Sequence, residues 1–440
     1  VIARLGLLAA LLLLAGCGGG GGSTPTSTTT SSSSGTSTGT TTTTTTTTPT
    51  NLVTLTVDSG PAGLDYVQDN VGYVTITLCP PGSATNCQTI DHIAVDTGSS
   101  GLRVLASSLN ASLLAAMPQE TDTSGNPVGE CLVFVDGYVF GSVRTADFTI
   151  GGEKVASLAL QVIGDSGPFQ TVPSNCSSGG GTNQGTFQNF GANGLLGVGP
   201  EATDCGSLCA TDAGSGAAIY YDCPSAGCGS IIARSASTTA PFQQLPNPVA
   251  AFAVDNNGVI ISLPSAPANG EATLTGTLYF GIGTQTNNAL GSATVFTTTT
   301  SASRLGTGFI SVAFNGQTLD ESYIDSGTTV YVFSDSSLQA CSNSEYSGLY
   351  CPASPTSLTA EVIGQNAASE IVDFTIANAE TLLSNSYAVL PDLGGNPDLF
   401  SGDEIPSSFA FGLPFFYGRT VYTAIEGRTA GGVSGPYFAF

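Results

Sequence analysis

Four aspartates in this chain precede Ser-Gly or Thr-Gly: Asp58 in "VDSGP", Asp96 in "VDTGSS", Asp165 in "GDSGP" and Asp325 in "IDSGTT". A fifth, Asp212 in "DAGSG", has Ala213 where the others carry a hydroxyl. Two carboxyl groups held close together cannot both ionise easily, because like charges repel, so the pair shares one proton. The ionised member can take a proton from water while the protonated member hydrogen-bonds a carbonyl oxygen. Such chemistry uses no cofactor, metal or histidine. It suits a chain with one histidine, His92, and one lysine, Lys154. His92 is expected at a strand edge beside the site, not as a catalytic base.

The sequence around each aspartate separates the five. Asp58 and Asp165 are followed by Ser-Gly-Pro, and proline offers neither a hydroxyl to orient a carboxylate nor an N–H. These two and Asp212 read as turn or loop residues. Asp96 and Asp325 instead end apolar stretches, "IAV" and "SYI", and are followed by Thr97-Gly98-Ser99 and Ser326-Gly327-Thr328. Gly98 and Gly327 let the backbone approach the carboxylates closely. Each aspartate also has a later apolar run around a glycine: "NGLLGVGP" at Gly194 and "AFGLPFFYGRTVY" at Gly412. Two similar halves, each contributing one aspartate, put a site where two lobes meet.

The paired motifs and their downstream glycine runs resemble the bilobal pepsin-like aspartic peptidases. "DTGSSGLRV", "DGYVFGSVRTADFTIGGE" and "GLPFFYGRTVYTAIEGR" also resemble a bacterial family of exported proteins of unknown function with a pepsin-like fold. The likeness runs from about residue 52 to the end of the chain. It implies a mainly β, bilobal double β-barrel with a few short helices, and a catalytic pair made of Asp96 and Asp325. By the same resemblance, Thr97 and Ser326 bind across to the opposite loop's backbone, and Ser99 and Thr328 hold the outer carboxylate oxygens. The implied partner is a polypeptide substrate cleaved by a monomer. "CLVFVDGYVFGSVRTADFTIGG" sits where the family has a β-hairpin flap over the substrate. Alignment puts Val135 near the usual flap tyrosine, with Tyr138 as a candidate replacement from a shifted turn. Arg103 stands where secreted pepsins commonly carry tryptophan, and the chain has no Trp, which implies remodelled substrate subsites. Pepsin-like folds also host inactive members, so the alternative is a binding or inhibitory lipoprotein without turnover.

The elements that must position these residues are β-prone. "VGYVTITLC", "CLVFVDGYVFG", "GVIISLP" and "GTLYFGIG" are short runs bounded by Gly, Pro, Asn or Asp. Helical periodicity is confined to "LRVLASSLNASLLAAM" and, more weakly, "AETLLSNSY".

With 41% hydrophobic residues among 440, the chain can build two lobes with a sizeable core. Lys plus Arg number 8 against 32 acidic residues, a formal net charge of -24 that repels nucleic acid and anionic lipid. "VIARLGLLAALLLLAGC" reads as a secretory signal over residues 1–16, and "LAGC" resembles a lipobox that would leave Cys17 lipidated. Gly18 in place of an inner-membrane retention aspartate favours the outer membrane. The expected location is the periplasmic face or cell surface, with membrane contact only through the anchor. Residues 17–50, rich in Gly, Ser and Thr, read as a disordered tether. Residues 51–245 are assigned to an N-terminal lobe with a cysteine-rich insertion at 201–240, and residues 246–440 to a C-terminal lobe. No Lys or Arg lies between Arg4 and Arg103, so no basic prosegment is expected to cap the cleft.

Export makes the cysteines legible. Of eleven, all but Cys17 remain after lipidation, an even number in an oxidising compartment. Cys79–Cys87 and Cys341–Cys351 are natural local bridges, and Cys131–Cys176 is a longer one. Cys205, Cys209, Cys223 and Cys228 have a spacing that zinc could use, but disulfides are the stronger reading after export.

Overall fold

The computed structural model describes residues 51–178, 181–206, 218–232, 234, 243–300, 307–399 and 408–440. The signal, the tether, Cys17, Asp212 and much of the 201–240 insertion lie outside the described residues.

Short apolar runs punctuated by turn residues become strands, and the protein is mainly β and bilobal. The first half supplies β1 (Leu52–Val57), β2 (Gly72–Cys79), β3 (Gln88–Asp96), β4 (Ser100–Leu105), β5 (Val128–Val133), β6 (Gly137–Ile150) and β7 (Glu153–Ile163). Then come β8 (Thr182–Asn183), β9 (Gly194–Val198), β10 (Ala218–Asp222) and β11 (Ser230–Ile232). The second half supplies β12 (Gly258–Ser262), β13 (Leu274–Phe280), β14 (Val295–Thr297), β15 (Ile310–Phe314), β16 (Gln317–Ile324) and β17 (Tyr331–Val332). It continues with β18 (Thr356–Ile363), β19 (Ser369–Ile376), β20 (Gly394–Gly395), β21 (Ala410–Phe411) and β22 (Thr420–Ala424). Two short strands, β23 (Thr429–Ala430) and β24 (Val433–Ser434), precede β25 (Tyr437–Ala439).

The strand pairings close a barrel in the first half. β2 pairs with β3, β3 with β9, β9 with β4, β4 with β7, β7 with β6, and β6 returns to β2. Closure removes the exposed edges that an open sheet would leave. Ile76, Leu78, Ile90, Phe148, Leu160 and Val162 belong to the main buried core. In the second half, β19-β18-β15-β16-β21-β17-β20 form a separate seven-stranded sheet. Phe409 and Phe411 back it with stacked rings 4.5 Å apart, and Phe409 lies 5.0 Å from Phe333. Such offset ring pairs add about 1 kcal/mol each beyond their buried area.

A third layer joins the two. β1, β13, β12, β22, β25 and β14 lie side by side, all antiparallel. β1 pairs with β13 along its length and with β2 at its end, so the first strand among the described residues belongs to both halves.

The helical reading of residues 102–117 holds only in part. Its first portion is β4, every residue of which is buried, and only Ala111–Ala116 is α-helical, capped by the Asn110 side chain accepting from the Leu113 N–H. Burial on both faces makes most residues of such a strand apolar, and the run of Leu102, Val104 and Leu105 then mimics a helical stripe. "AETLLSNSY" does contain a helix, Ala379–Leu383.

Disulfides join Cys79 to Cys87, Cys131 to Cys176 and Cys341 to Cys351. Cys223 is bridged to Cys228, and Cys205 is also disulfide-bonded. These sulfurs are therefore held as cystines, not as zinc ligands; Cys209 lies outside the described residues.

Candidate active site

Asp96 ends β3, and its loop turns directly into β4. Between those two strands runs β9, parallel to β3 (Asp96 opposite Gly197) and antiparallel to β4 (Ser100 opposite Val198). The second half repeats the device. Asp325 follows β16, and β21 runs between β16 and β17, parallel to the first and antiparallel to the second. The downstream glycine runs are thus the strands that thread behind each aspartate. A Cβ on Gly412 would lie 2.2 Å from the Val330 carbonyl oxygen, and one on Gly194 would lie 2.4 Å from that of Arg103, so neither crossing admits a side chain.

The two loops meet. The Thr97 N–H donates to Ser326 Oγ at 3.2 Å, and the Ser326 N–H donates to Thr97 Oγ1 at 2.9 Å. Ser326 Oγ in turn donates to the Val95 carbonyl at 2.8 Å. The carboxyl groups of Asp96 and Asp325 lie close enough for each to alter the titration of the other. Their supports are symmetric. The Gly98 N–H donates to Asp96 Oδ1 and the Gly327 N–H to Asp325 Oδ1, each at 2.7 Å. Ser99 Oγ donates to Asp96 Oδ2, and Thr328 Oγ1 donates to Asp325 Oδ2 at 2.8 Å. A Cβ on Gly98 would stand 2.6 Å from Asp325 Cγ, so the close approach needs glycine there.

Both carboxyls are fully buried. Burial raises Asp96 above the usual carboxylate range, partly offset by bonds from Ser99, Asp325 and the Gly98 N–H and by the Arg103 charge. Asp325 is raised well above it, first by burial and then by the charge and hydrogen bond of Asp96. Two carboxyls sharing a proton is the state this arrangement favours.

The model of the family described as Protein of unknown function (DUF3443) matches residues 47–440. The chain belongs to DUF3443. No curated protein matches it.

Two of the other motif aspartates of this DUF3443 protein, Asp165 and Asp58, have structural partners. Asp165 accepts from Arg144 Nε at 2.9 Å and Nη2 at 2.8 Å and from Ser142 Oγ at 2.5 Å. Asp58 accepts from the Gly60 N–H and lies 3.4 Å from His92 Nε2. His92 sits on β3, four residues before Asp96, in a left-handed conformation with φ of 48°. Its other nitrogen lies 3.2 Å from Asp91, and its ring packs edge-on against Tyr73.

β5 and β6 form the expected hairpin, with Val133 opposite Tyr138 and the Phe134 N–H bonded to the Gly137 carbonyl. Tyr138 packs with the cluster of Cys131, Phe140, Phe169 and Cys176, on the side toward the insertion. Val135, in the turn, packs against the cluster of Val330, Val332 and Leu349 from the second half. The side chain reaching across to the other lobe is therefore Val135. β10 from the insertion pairs with β5 over its length, and Cys131–Cys176 ties the same strand to the helix Ser174–Ser177.

Arg103 is wholly buried. Nη1 donates to the Ser100 carbonyl at 2.9 Å, and Nη2 lies 2.6 Å from Glu130 and 3.2 Å from Asp204. Tyr220 donates to Asp204 at 2.7 Å and accepts from the Leu245 N–H at 2.7 Å. Arg103 thus faces an internal acid pair behind the Asp96 loop. Sequence reasoning missed Glu130, Asp204 and Tyr220. The signal was present: Glu130 interrupts the apolar "VGECLV" and Arg103 the apolar "SGLRVL", and two charges in uniformly buried strands need each other.

Proposed function

We propose that this protein is an aspartic endopeptidase of the pepsin type, exported and lipid-anchored at Cys17, that hydrolyses peptide bonds through Asp96 and Asp325. The observation that carries the reading is the crossed Thr97–Ser326 hydrogen bonding, which sets two buried, identically supported carboxyls side by side. A water seated between the carboxyls loses a proton to the ionised one as its oxygen attacks the scissile carbonyl. The protonated carboxyl donates to the carbonyl oxygen as the tetrahedral intermediate forms. Collapse of that intermediate breaks the C–N bond, with a proton passing to the leaving nitrogen. Burial makes the shared proton persist over a wide pH range and strengthens every bond in the site. Export agrees with the disulfides, and no helix among the described residues is long and apolar enough to cross a membrane.

A second reading, a pepsin-fold binding or inhibitory lipoprotein, draws support from the hairpin. Its strand β5 is held on one side by β10 and by a disulfide, Val135 packs on the opposite lobe, and the aspartate pair has no solvent exposure. A peptide library digested from pH 3 to 7 decides between them. Cleavage abolished by Asp96→Asn, by Asp325→Asn and by a hydroxyl-bearing transition-state mimic is the expected result. Binding of peptides with no cleavage across that range would establish the second reading instead.

A further inference from the structure

We infer that Arg103 is a positioning residue that fixes which aspartate carries the charge: it keeps Asp96 ionised, as the base, and leaves the shared proton on Asp325, as the acid. This deepens the peptidase reading and rests on it for its catalytic meaning.

The geometry begins with the chain. Arg103 lies on β4, four residues beyond Ser99, and β4 is the return strand of the Asp96 loop alone. Nη1 holds the Ser100 carbonyl, next to the Ser99 hydroxyl that binds Asp96 Oδ2. A cation is therefore built into the first loop, and its field favours the anionic form of Asp96. Among the described residues, the groups acting on the pair from the Asp325 side are Thr328 and the buried Tyr323, whose hydroxyl is pushed up by burial and then by Asp325 and Asp96. Neither is a cation. The two otherwise symmetric halves differ here.

The cation is itself controlled. Glu130 on β5 and Asp204, just beyond β9, both bind Nη2. Among the described residues, no N–H or O–H donor reaches Glu130 Oε2 or Asp204 Oδ1. Asp204 is raised well above the carboxylate range by burial and by Glu130, with Arg103 pulling it down. Tyr220 on β10 completes this shell, with Arg234 over its ring at 5.4 Å and paired to Glu120. A proton kept on Asp204 lowers the negative charge set against Arg103. Of these charges, Arg103 is the one bonded to the Asp96 loop and the one that acts on Asp96.

The test uses opposite changes of charge. Arg103→Gln removes the cation, and Glu130→Gln with Asp204→Asn removes the counter-charge while keeping polar groups in place. The first proton loss of the aspartate pair is followed by carbon-13 NMR of labelled aspartate, assigned with Asp96→Asn and Asp325→Asn; this measurement needs no turnover. Arg103→Gln should move that step to higher pH and the double variant to lower pH, with Arg103→Lys close to the unmodified protein. In the peptidase assay, Arg103→Gln should lower the rate at pH 3, relative to the rate at its own optimum, by about threefold to tenfold. If Arg103→Gln does not fold, the double variant and Arg103→Lys carry the test. Steps that stay in place, or move the same way in both, overturn the assignment even if peptides are cleaved. Opposite movements with no cleavage of any peptide uphold the role of Arg103 and remove the peptidase reading.

Discussion

Ser326 joins the lobes with a single oxygen that accepts from the Thr97 N–H and donates to the Val95 carbonyl. Ser326→Ala removes a hydrogen bond from each of these buried backbone groups, at a cost of about 2–4 kcal/mol. Chemical denaturation should show that loss, and Thr97→Ser, which keeps its oxygen, should show little. At Gly98 the constraint is space. Gly98→Ala would press a methyl against the Asp325 carboxyl, so peptide cleavage should fall by about 100-fold while the fold is retained. A Gly98→Ala protein with normal rates would mean that the carboxyl position does not matter. The hydroxyl-glycine-hydroxyl pattern and its repeat were legible in sequence because the same backbone contacts recur in each half. The shell around Arg103 was not, because Glu130, Asp204 and Tyr220 are distant in sequence from it and from one another.

The hairpin of β5 and β6 is an element whose position, but not its restraint, could be read from the chain. Its turn and alternation are local signals, whereas β10 reaches β5 from a distant segment. Cys131–Cys176 encloses a sequence separation of 45 residues, and its removal should cost about 4 kcal/mol by loop-closure entropy. The paired variant Cys131→Ser, Cys176→Ser should therefore melt earlier. Hydrogen exchange should rise at the turn 134–136 and along β5, ahead of the barrel strands β3 and β9. If the turn exchanges at the same rate with and without the bridge, β10 and the Val135 contact alone hold the hairpin down. Barrel closure was likewise invisible in the sequence: β6 looks like one long β-prone run, yet it pairs with β5 at one end and β2 at the other.

Across the whole molecule the acid-rich composition becomes a pH response. Asp69 is raised to about 7 by burial, Glu153 to about 7 by burial and then by Asp255, and Asp392 to about 6 by burial. Unfolded carboxyls lose their protons near pH 4, so between about pH 4 and 7 the folded chain binds more protons than the unfolded one, and stability falls as pH rises. His92 acts in the same direction: its raised pKa, set first by the bond to Asp58, adds stability that disappears as pH climbs through it. Asp58 moves oppositely; burial is outweighed there by bonds from His92 and the Gly60 N–H, so its contribution disappears only as pH drops below about 4. Thermal melts should place the maximum near pH 4–5 and show a Tm lower by on the order of 5 °C at pH 7. A Tm that rises steadily to pH 7 would contradict this. The sharing of β1 between the halves has a mechanical consequence. Tension arriving at residue 51 runs along a strand bonded over six residue pairs to β13, from Leu52 opposite Tyr279 to Val57 opposite Leu274. Those bonds bear the load in shear and must fail together, so a pull on the chain is absorbed by the joining sheet before it reaches the loops of Asp96 and Asp325.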